Sequence, residues 1–339
     1  MTLPMELPSS TDRERLRFDA TVPRALVHRA SVAEVFITDS IAAPGNRPGA
    51  AEAAFEVAAQ LPRGHLIGEN PASYDFLLIV EVLRQAGVFV AHRHLDVPLD
   101  SAFIFKEMHY RVRSLAALRI GARPAQVVIR MTVRPARNRA GRVLGLDFDG
   151  VLEIDGTAAL QAAGGLTFVS RRAFDMLRAK GRERVRGADP GATLVARLAP
   201  APPAAIGRRD PRNVVVTDPA VDTGGNALAR VVVDTAHPHL FDHQLDHVPG
   251  NLQLEAARQV AVAAVARLHG LSPEHLVVTA LGTTFTEFAE LDLATTVLAK
   301  VGGVRQGEEL GLLTVPVAVR TEQSGTVCSD VTVEVAQWV

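Results

Sequence analysis

Residues 76–91 have the sequence FLLIVEVLRQAGVFVA, and residues 252–268 have the sequence LQLEAARQVAVAAVARL. Both segments are apolar on nearly every side and too long for ordinary strands, so each predicts a buried helix. EVLRQA from Glu81 matches EAARQV from Glu255, with Glu, Arg and Gln at identical spacing. The offset of 174 residues is close to half the chain and indicates a duplicated unit.

Segments rich in β-branched and apolar residues accompany each predicted helix and predict strands. In the first half they are residues 27–38, 102–112, 126–133, 143–154 and 158–170. In the second half they are residues 227–234, 276–288, 294–301, 311–320 and 325–335. One long helix followed by about four strands in each half predicts an α+β protein built from two similar repeats.

A stretch rich in proline, alanine and glycine, residues 186–206, separates the two halves and predicts a linker. We therefore expect an N-terminal domain over residues 21–185 and a C-terminal domain over residues 207–339. Residues 1–20 carry early charges and no apolar run of signal-peptide length, so we expect a flexible segment without a targeting signal. No stretch of about 18 apolar residues occurs, which predicts a cytoplasmic protein with no membrane span.

The composition excludes several functional classes. The 339-residue chain has 36 basic and 37 acidic residues and a formal net charge of −1, which argues against nucleic-acid binding through a basic excess. The single cysteine, Cys328, excludes an internal disulfide framework and a multi-cysteine metal site. The absence of G-x-S-x-G, G-K-[ST] and G-x-G patterns removes the motifs of α/β-hydrolases, P-loop proteins and dinucleotide-binding folds.

Each predicted helix carries charged residues, although burying an unpaired charge is strongly unfavourable. Side chains three or four positions apart share one face of a helix. Two polar stripes result: Glu81, Arg84 and Gln85 on the first helix, and Glu255, Arg258 and Gln259 on the second. Two interpretations stand: a stripe lines a polar pocket, or its Glu and Arg satisfy each other in a purely structural pair.

PGNLQLEAARQ at residues 249–259 resembles the start of the central helix in hotdog 3-hydroxyacyl-carrier-protein dehydratases. Phe241 stands where that family has its catalytic His, which argues against a working dehydratase. Four longer stretches, VHRASVAEVFITD, AHRHLDVPLD, GRRDPRNVVV and HPHLFDHQLDHVPGNLQLEAARQ, resemble the AfsA-type A-factor biosynthesis family. This resemblance covers most of residues 25–339 and implies a double hotdog, in which an antiparallel sheet wraps each long helix.

The resemblance implies an acyltransferase that serves γ-butyrolactone-type autoregulators. A β-ketoacyl group would pass from the phosphopantetheine thioester of an acyl carrier protein to the hydroxyl of dihydroxyacetone phosphate, and the ester would condense to a butenolide phosphate. No further cofactor, nucleic acid or membrane partner is expected, and both a monomer and a homodimer fit. A hotdog acyl-carrier-protein thioesterase or dehydratase and a non-catalytic acyl- or lactone-binding protein remain as alternatives.

The implied chemistry assigns roles to the two stripes. Glu81 is the expected base for the hydroxyl, because burial should raise the pKa of its carboxyl group. Arg258 is the expected phosphate ligand, since a guanidinium binds phosphate through two hydrogen bonds, and it would meet Glu81 if the two helices pack together. Arg84 and Glu255 form the mirror-image set, either a second site or a degenerate one.

The start of the second helix and the two glutamines complete the expected site. The backbone N–H groups of Gly250 and Asn251 are expected to form an oxyanion hole, because helix N-termini favour negative charge. Gln259 either orients the thioester or satisfies a buried carbonyl. Gln85, its counterpart in the first half, is expected to bind substrate in the same way.

Four histidines, His237, His239, His243 and His247, precede the second helix among two aspartates. Because prolines interrupt this run, we expect a polar loop at a pocket mouth rather than a zinc site, with His243 as a candidate acid or base and no metal. His65 is a weaker candidate. The basic run at residues 171–186 is either a solvated face or a docking surface for an acidic carrier protein.

Overall fold

The computed structural model describes residues 16–47, 49–70, 72–188, 198–307 and 309–338. These residues include three α-helices: α1 (Phe76–His94), α2 (Arg171–Ala188) and α3 (Gly250–His269). None of the three is long and apolar enough to cross a bilayer. The two predicted helices are confirmed as α1 and α3, whereas α2 was not predicted.

The division of the chain into domains stays a prediction. Residues 1–15 of the expected flexible segment and residues 189–197 of the expected linker lie outside the described residues. The first part of that linker, up to Ala188, is the end of α2.

The strands of the first half are β1 (Ile37–Ala42), β2 (Ala53–Leu61), β3 (Ala102–Val112), β4 (Ala125–Arg137), β5 (Val143–Ile154) and β6 (Thr157–Val169). Those of the second half are β7 (Ala220–Val221), β8 (Asn226–Arg230), β9 (His247–Val248), β10 (Leu276–Phe285), β11 (Ala289–Glu290), β12 (Thr296–Val301), β13 (Arg305–Gln306), β14 (Leu313–Gln323) and β15 (Thr326–Gln337).

In the described part of the chain, one antiparallel sheet runs through both halves. Its strand order is β1-β2-β4-β5-β6-β3-β10-β15-β14-β12-β8-β7, with β13 paired to β14, while β9 and β11 form a separate ribbon. The halves join where β3 pairs with β10, with Arg111 opposite Ala280 and Glu107 opposite Thr284. The two repeats are therefore continuous through backbone hydrogen bonds.

Each half wraps its sheet around one long helix. Helix α1 contacts β1 and β2, and α3 contacts β8, β10, β12, β14 and β15. Most side chains of both helices are buried, as their apolar sequences require. The fold is thus α+β, and its arrangement is the double hotdog that the resemblance implied.

Residues 27–38 do not form the predicted strand. The 3₁₀ turn Arg24–Val27 ends where this segment starts, a second 3₁₀ turn, Val32–Glu34, lies within it, and β1 begins only at Ile37. His28 adopts the left-handed backbone conformation at φ 54°, and the Ser31 hydroxyl caps the second turn. These local features override the β-branched composition and place polar side chains of the segment over α1.

Helix α2, which contains the basic run, ties the first half to the second. Arg178 is buried and donates to Glu290 at 2.7 Å and to Asp246 at 3.1 Å. Arg184 and Arg186 pair with acidic residues of the second half as well. Arg178 is therefore not part of an open surface, whereas Arg184 and Arg186 are each 53% exposed within their ion pairs, and both alternatives for the basic run stay predictions.

Candidate active site

A fully buried carboxylate, Glu81 of α1, is the centre of a first cluster of polar side chains. Its Oε1 accepts hydrogen bonds from Arg29 Nε at 2.8 Å and from Gln85 Nε2 at 2.6 Å. Its Oε2 accepts from Arg84 Nε at 2.8 Å and from Asn251 Nδ2 at 2.9 Å. Arg29 comes from the loop before β1 and Asn251 from the first turn of α3. The predicted stripe exists, and two distant segments complete it.

The surroundings of Glu81 lower its pKa instead of raising it. Burial alone would raise the pKa, but the positive charges of Arg29 and Arg84 outweigh burial and hold it well below the usual glutamate range. The expected raised pKa is wrong, because Arg29 was not foreseen. The carboxylate stays ionised and holds two guanidinium groups in place, which removes the reason for choosing it as the base.

A second cluster of the same composition surrounds Glu255, which is also buried in α3. Glu255 accepts from Arg208 Nε at 2.9 Å, Arg258 Nε at 2.9 Å and Gln259 Nε2 at 2.6 Å. Arg208 also donates to Asp75, the N-cap residue of α1, at 2.7 Å. Burial raises the pKa of Glu255, but the two arginines outweigh burial and lower the pKa to about 2.

Arg258 belongs to this second cluster and does not join Glu81. It donates to Glu255 through Nε and Nη2 and lines a cavity with Arg208, whereas Arg84 lines a different cavity. The expected pairing of Arg258 with Glu81 is therefore wrong. A residue at the start of each helix contacts the cluster of the other helix: Asn251 contacts Glu81, and Asp75 contacts Arg208. Within each stripe, the Glu and the Arg of the same helix pair with each other.

Both glutamines hold the loop that precedes the first strand of their half. Gln85 donates to the carbonyl of Glu34 at 2.7 Å and accepts from the N–H of Phe36 at 3.0 Å. Gln259 donates in the same way to the carbonyl of Asn213 at 2.7 Å. Of the two alternatives for Gln259, the structure thus favours the buried carbonyl over the thioester. The substrate-binding role expected for Gln85 finds no support, because its amide is already used.

A cavity of about 710 Å³ lies over the first cluster. Arg29 and Arg84 line one side of it, and Gly250 and Asn251 line another side at the start of α3. No side chain caps this helix end, which leaves its first N–H groups for an anion. A Cβ on Gly250 would lie 3.1 Å from the Phe285 ring, so a small residue suits this position. The apolar lining includes Phe103, Phe105, Met108, Leu254 and Phe285.

A cavity of about 430 Å³ lies over the second cluster and differs in charge. There, Arg208 lies within 4.0 Å of three carboxylates: Asp75 at 2.7 Å, Glu255 at 2.9 Å and Glu69 at 3.9 Å. In the first cluster, the two arginines share Glu81 as their one salt-bridge partner among the described residues. The first cluster therefore has a surplus positive charge, two guanidinium groups against one carboxylate, and the second cluster does not.

His243 lies at the mouth of the first cavity, where a polar loop was expected. Its side chain is 44% exposed, and its Nδ1 lies 3.5 Å from the Asp242 carboxylate, which in turn accepts from the N–H of Ser31. His28 lines the same cavity, and burial together with the charge of Arg84 lowers its pKa to about 3. His28 is therefore neutral, and the acid or base role of His243 stays a prediction.

The histidine run divides between two different partners. His237 Nε2 lies 3.0 Å from Asn213 Oδ1, whereas His239 Nδ1 lies 2.7 Å from Glu34 Oε2. The other oxygen of Glu34 lies 3.3 Å from His65 Nε2. Glu34, His65 and His239 each offer one atom that could bind a metal ion, and these three atoms lie within 4.8 Å of one another. In the structure these atoms satisfy one another as a carboxylate between two imidazoles.

Arg29, Arg208 and Glu34 were not predicted from the sequence. The signal that finds them is an alignment of the two halves with each other over a second segment. HRASVAEVFITD at residues 28–39 matches GRRDPRNVVVTD at residues 207–218 with an offset of 179 residues. This alignment places Arg29 opposite Arg208 and Glu34 opposite Asn213, as the two clusters do.

Comparison with known proteins supports one family over nearly the whole chain. The 2-oxo-3-(phosphooxy)propyl 3-oxoalkanoate synthase of Streptomyces virginiae is 35% identical over 277 residues, which cover 80% of this chain and 85% of the relative. The synthase of the same name from Streptomyces coelicolor is 33% identical over 301 residues, covering 87% of this chain and 86% of the relative. A solved 12:0-ACP thioesterase from Umbellularia californica superposes with a TM-score of 0.46 at 11% identity, covering 83% and 93% of the two chains.

The family model for the A-factor biosynthesis hotdog domain, AfsA, matches this chain twice. The matched ranges are residues 10–170 and residues 193–337, one for each half. Each range contains one of the two Glu–Arg–Gln stripes. The chain belongs to the AfsA family of A-factor biosynthesis hotdog proteins.

Proposed function

We propose that this protein transfers a 3-oxoacyl group from an acyl-carrier-protein thioester to the hydroxyl of dihydroxyacetone phosphate. The product would be a 2-oxo-3-(phosphooxy)propyl 3-oxoalkanoate, the compound that the relatives are named for making. The cytoplasmic location and the carrier protein as acyl donor are parts of this proposal. The observation that carries it is the surplus positive charge of the first cluster, whose Arg29 and Arg84 line the first cavity.

The phosphate of the acceptor binds at Arg84 in this proposal, not at Arg258. Arg84 uses Nε and Nη2 for Glu81 and for the carbonyl of Val27, and among the described residues its Nη1 has no acceptor. Its side chain is 18% exposed, against 6% for Arg29, so it is the guanidinium that a ligand in the cavity can reach. A phosphate would supply the second negative charge that Asp75 supplies in the other cluster.

The thioester carbonyl lies at the start of α3 in this arrangement. The uncapped N–H groups of Gly250 and Asn251 would stabilise the oxyanion of the tetrahedral intermediate, aided by the positive end of the helix. The acyl chain would occupy the apolar lining of the cavity. Glu81 acts here as a positioning residue, because its five hydrogen bonds to Arg29, Arg84, Gln85 and Asn251, with a further ion-pair contact to Arg29, fix the groups that touch the substrate.

One assay tests the proposal. Purified protein is mixed with a 3-oxoacyl carrier protein, with and without dihydroxyacetone phosphate, and carrier and small molecules are followed by mass spectrometry. We expect loss of the acyl group and a new phosphorylated ester only when the acceptor is present. Acyl loss without the acceptor would establish a thioesterase instead, and an unchanged carrier would leave a binding protein.

Dihydroxyacetone without its phosphate is the matched control acceptor. It offers the same hydroxyl and ketone but cannot pair with Arg84. A phosphate contact worth about 1.5–3 kcal/mol predicts a kcat/KM lower by about 10- to 100-fold for this acceptor. Equal rates for the two acceptors would contradict the proposed phosphate site.

A further inference from the structure

His239 carries a buried ring nitrogen that no group of the described protein satisfies. The residue is fully buried and lines the first cavity, and its Nε2 has no hydrogen-bond partner. Its other nitrogen, Nδ1, lies 2.7 Å from Glu34 Oε2. Because a carboxylate can only accept, Nδ1 carries the proton and Nε2 presents a lone pair. Buried polar atoms without partners are uncommon and call for an explanation.

Glu34 is held as the charged partner of this imidazole. Burial raises the pKa of Glu34, but hydrogen bonds from His239 and His65 outweigh burial and lower the pKa to about 2. The carboxylate is therefore ionised at any working pH. A fixed negative charge at Nδ1 stabilises the imidazolium that forms when Nε2 takes up a proton.

Several other groups surround His239. Arg29 Nη1 donates to its backbone carbonyl at 3.1 Å, and the same guanidinium pairs with Glu81 at 2.6 Å. The His65 ring packs edge-on against it at 5.3 Å between centroids. His237 accepts the backbone N–H of His239 on the side away from Glu34. Arg29, Glu34 and Glu81 are therefore the charged side chains in this network of contacts around His239.

The second half lacks this arrangement. Asn213 stands where the first half has Glu34, and it faces His237 Nε2 with an amide oxygen at 3.0 Å. An amide orients an imidazole but supplies no charge for an imidazolium. The buried pairing of an imidazole with a carboxylate, His239 with Glu34, therefore lies at the first cavity, next to the cluster with the surplus positive charge.

We infer that His239, oriented by Glu34, is the general base that activates the acceptor hydroxyl. The inference rests on the proposed function and names the residue that moves the proton. Nε2 takes the proton of the hydroxyl as its oxygen forms a bond to the thioester carbonyl carbon. The C–S bond then breaks, and the imidazolium returns the proton to the leaving phosphopantetheine sulfur, so that ester and free thiol result.

The test measures transfer as a function of pH for three variants. His239→Gln removes the base, Glu34→Gln keeps the hydrogen bond but removes the charge, and His109→Gln replaces an exposed imidazole on β3 as the control. We expect the wild-type rate to rise with pH, as it does when a general base must be unprotonated. His239→Gln should abolish this rise and lower kcat about 10²- to 10⁴-fold, with unchanged affinity for dihydroxyacetone phosphate by calorimetry.

Glu34→Gln separates a base from a structural imidazole. Without the carboxylate the imidazolium is less stable, so the rising limb should move to lower pH while kcat falls about 10²-fold or more. If His239→Gln fails to fold, this pH shift in Glu34→Gln still tests whether His239 is the base. A limb that stays in place in Glu34→Gln, or a folded His239→Gln variant with kcat within tenfold of wild type, would overturn the inference.

Two outcomes identify other failures. Wild-type protein without any transfer would overturn the proposed function and this base with it, whereas active wild type with active variants overturns the base alone. Metal analysis of the purified protein provides the last distinction. One equivalent of zinc in wild type that is absent from Glu34→Gln would show that Glu34, His65 and His239 hold an ion, and would overturn the free-base assignment.

Discussion

Asn251 Nδ2 donates to Glu81 Oε2 at 2.9 Å across 170 residues of sequence. This contact joins the start of α3 to the buried carboxylate of α1. At the corresponding place in the second cluster, the start of α1 supplies Asp75, whose carboxylate pairs with Arg208 at 2.7 Å. The first cluster has a neutral amide where the second has a charged carboxylate. This difference explains why the two clusters differ in charge although both contain Glu, Arg and Gln in the same arrangement.

Replacement of Asn251 by Asp should remove the donor to Glu81 Oε2 and add a second carboxylate to the first cluster. The new carboxylate would compete with the phosphate for Arg84, so KM for dihydroxyacetone phosphate should rise about 10- to 100-fold. Steady-state kinetics of Asn251→Asp measure this effect. Asp75→Asn, which retains a capping side chain for α1, is the matched control and should change KM by less than about twofold.

Arg84 and Arg258 make opposite predictions about the phosphate. Arg84→Gln should lower kcat/KM for dihydroxyacetone phosphate about 10²-fold, while the rate with dihydroxyacetone changes far less. If Arg258 binds the phosphate, as the stripe alone suggested, Arg258→Gln should show that acceptor-dependent loss instead. Parallel kinetics of the two variants with both acceptors decide between the clusters.

Glu255 should make stability depend on acid pH. Its pKa is lowered in the folded protein from 4.5 to about 2, so the ionised group stabilises the fold fully above pH 4.5. This contribution is lost as the pH falls from about 4.5 towards 2. Urea denaturation of wild type and Glu255→Gln between pH 6 and pH 3 measures it: the difference in unfolding free energy should shrink as the pH falls. A constant difference would contradict the lowered pKa.

Arg178 should be important for the attachment of α2. Its guanidinium pairs with Glu290, and both side chains are less than 5% exposed. Arg178→Ala leaves that buried carboxylate with the partly exposed Arg182 as its remaining salt-bridge partner, which should cost about 1–3 kcal/mol of unfolding free energy. Arg172→Ala on the same helix removes an exposed guanidinium and should cost less than about 0.5 kcal/mol. Chemical denaturation at neutral pH compares the two.

The helices and most of the sheet could be predicted because their signals are local. Apolar runs of helical length surround Glu81 and Glu255, and the ranges of β3 and β5 were predicted as the structure has them. Strand β2 was missed because Ala53–Leu61 is rich in alanine, which favours strands weakly. Helix α2 was missed because its stability depends on partners in the second half.

The site was predicted only in its local part. Residues three or four apart on one helix were identified, but the sequence does not show which distant side chains face them. Arg29 and Arg208 each lie about 50 residues before the glutamate they contact, and Asn251 lies 170 residues from Glu81. These partners reverse the pKa expected for Glu81. Burial alone therefore does not determine the pKa of a carboxylate when opposite charges from other segments lie beside it.

The β3–β10 junction makes each half of the protein depend on the other half. A separated first half would leave β3 with an unpaired edge, and a separated second half would do the same with β10. Unpaired edges recruit strands from other molecules, so either half alone would be prone to aggregate. The second half therefore remains necessary to cover the edge of β3, even though its own cluster has no surplus positive charge.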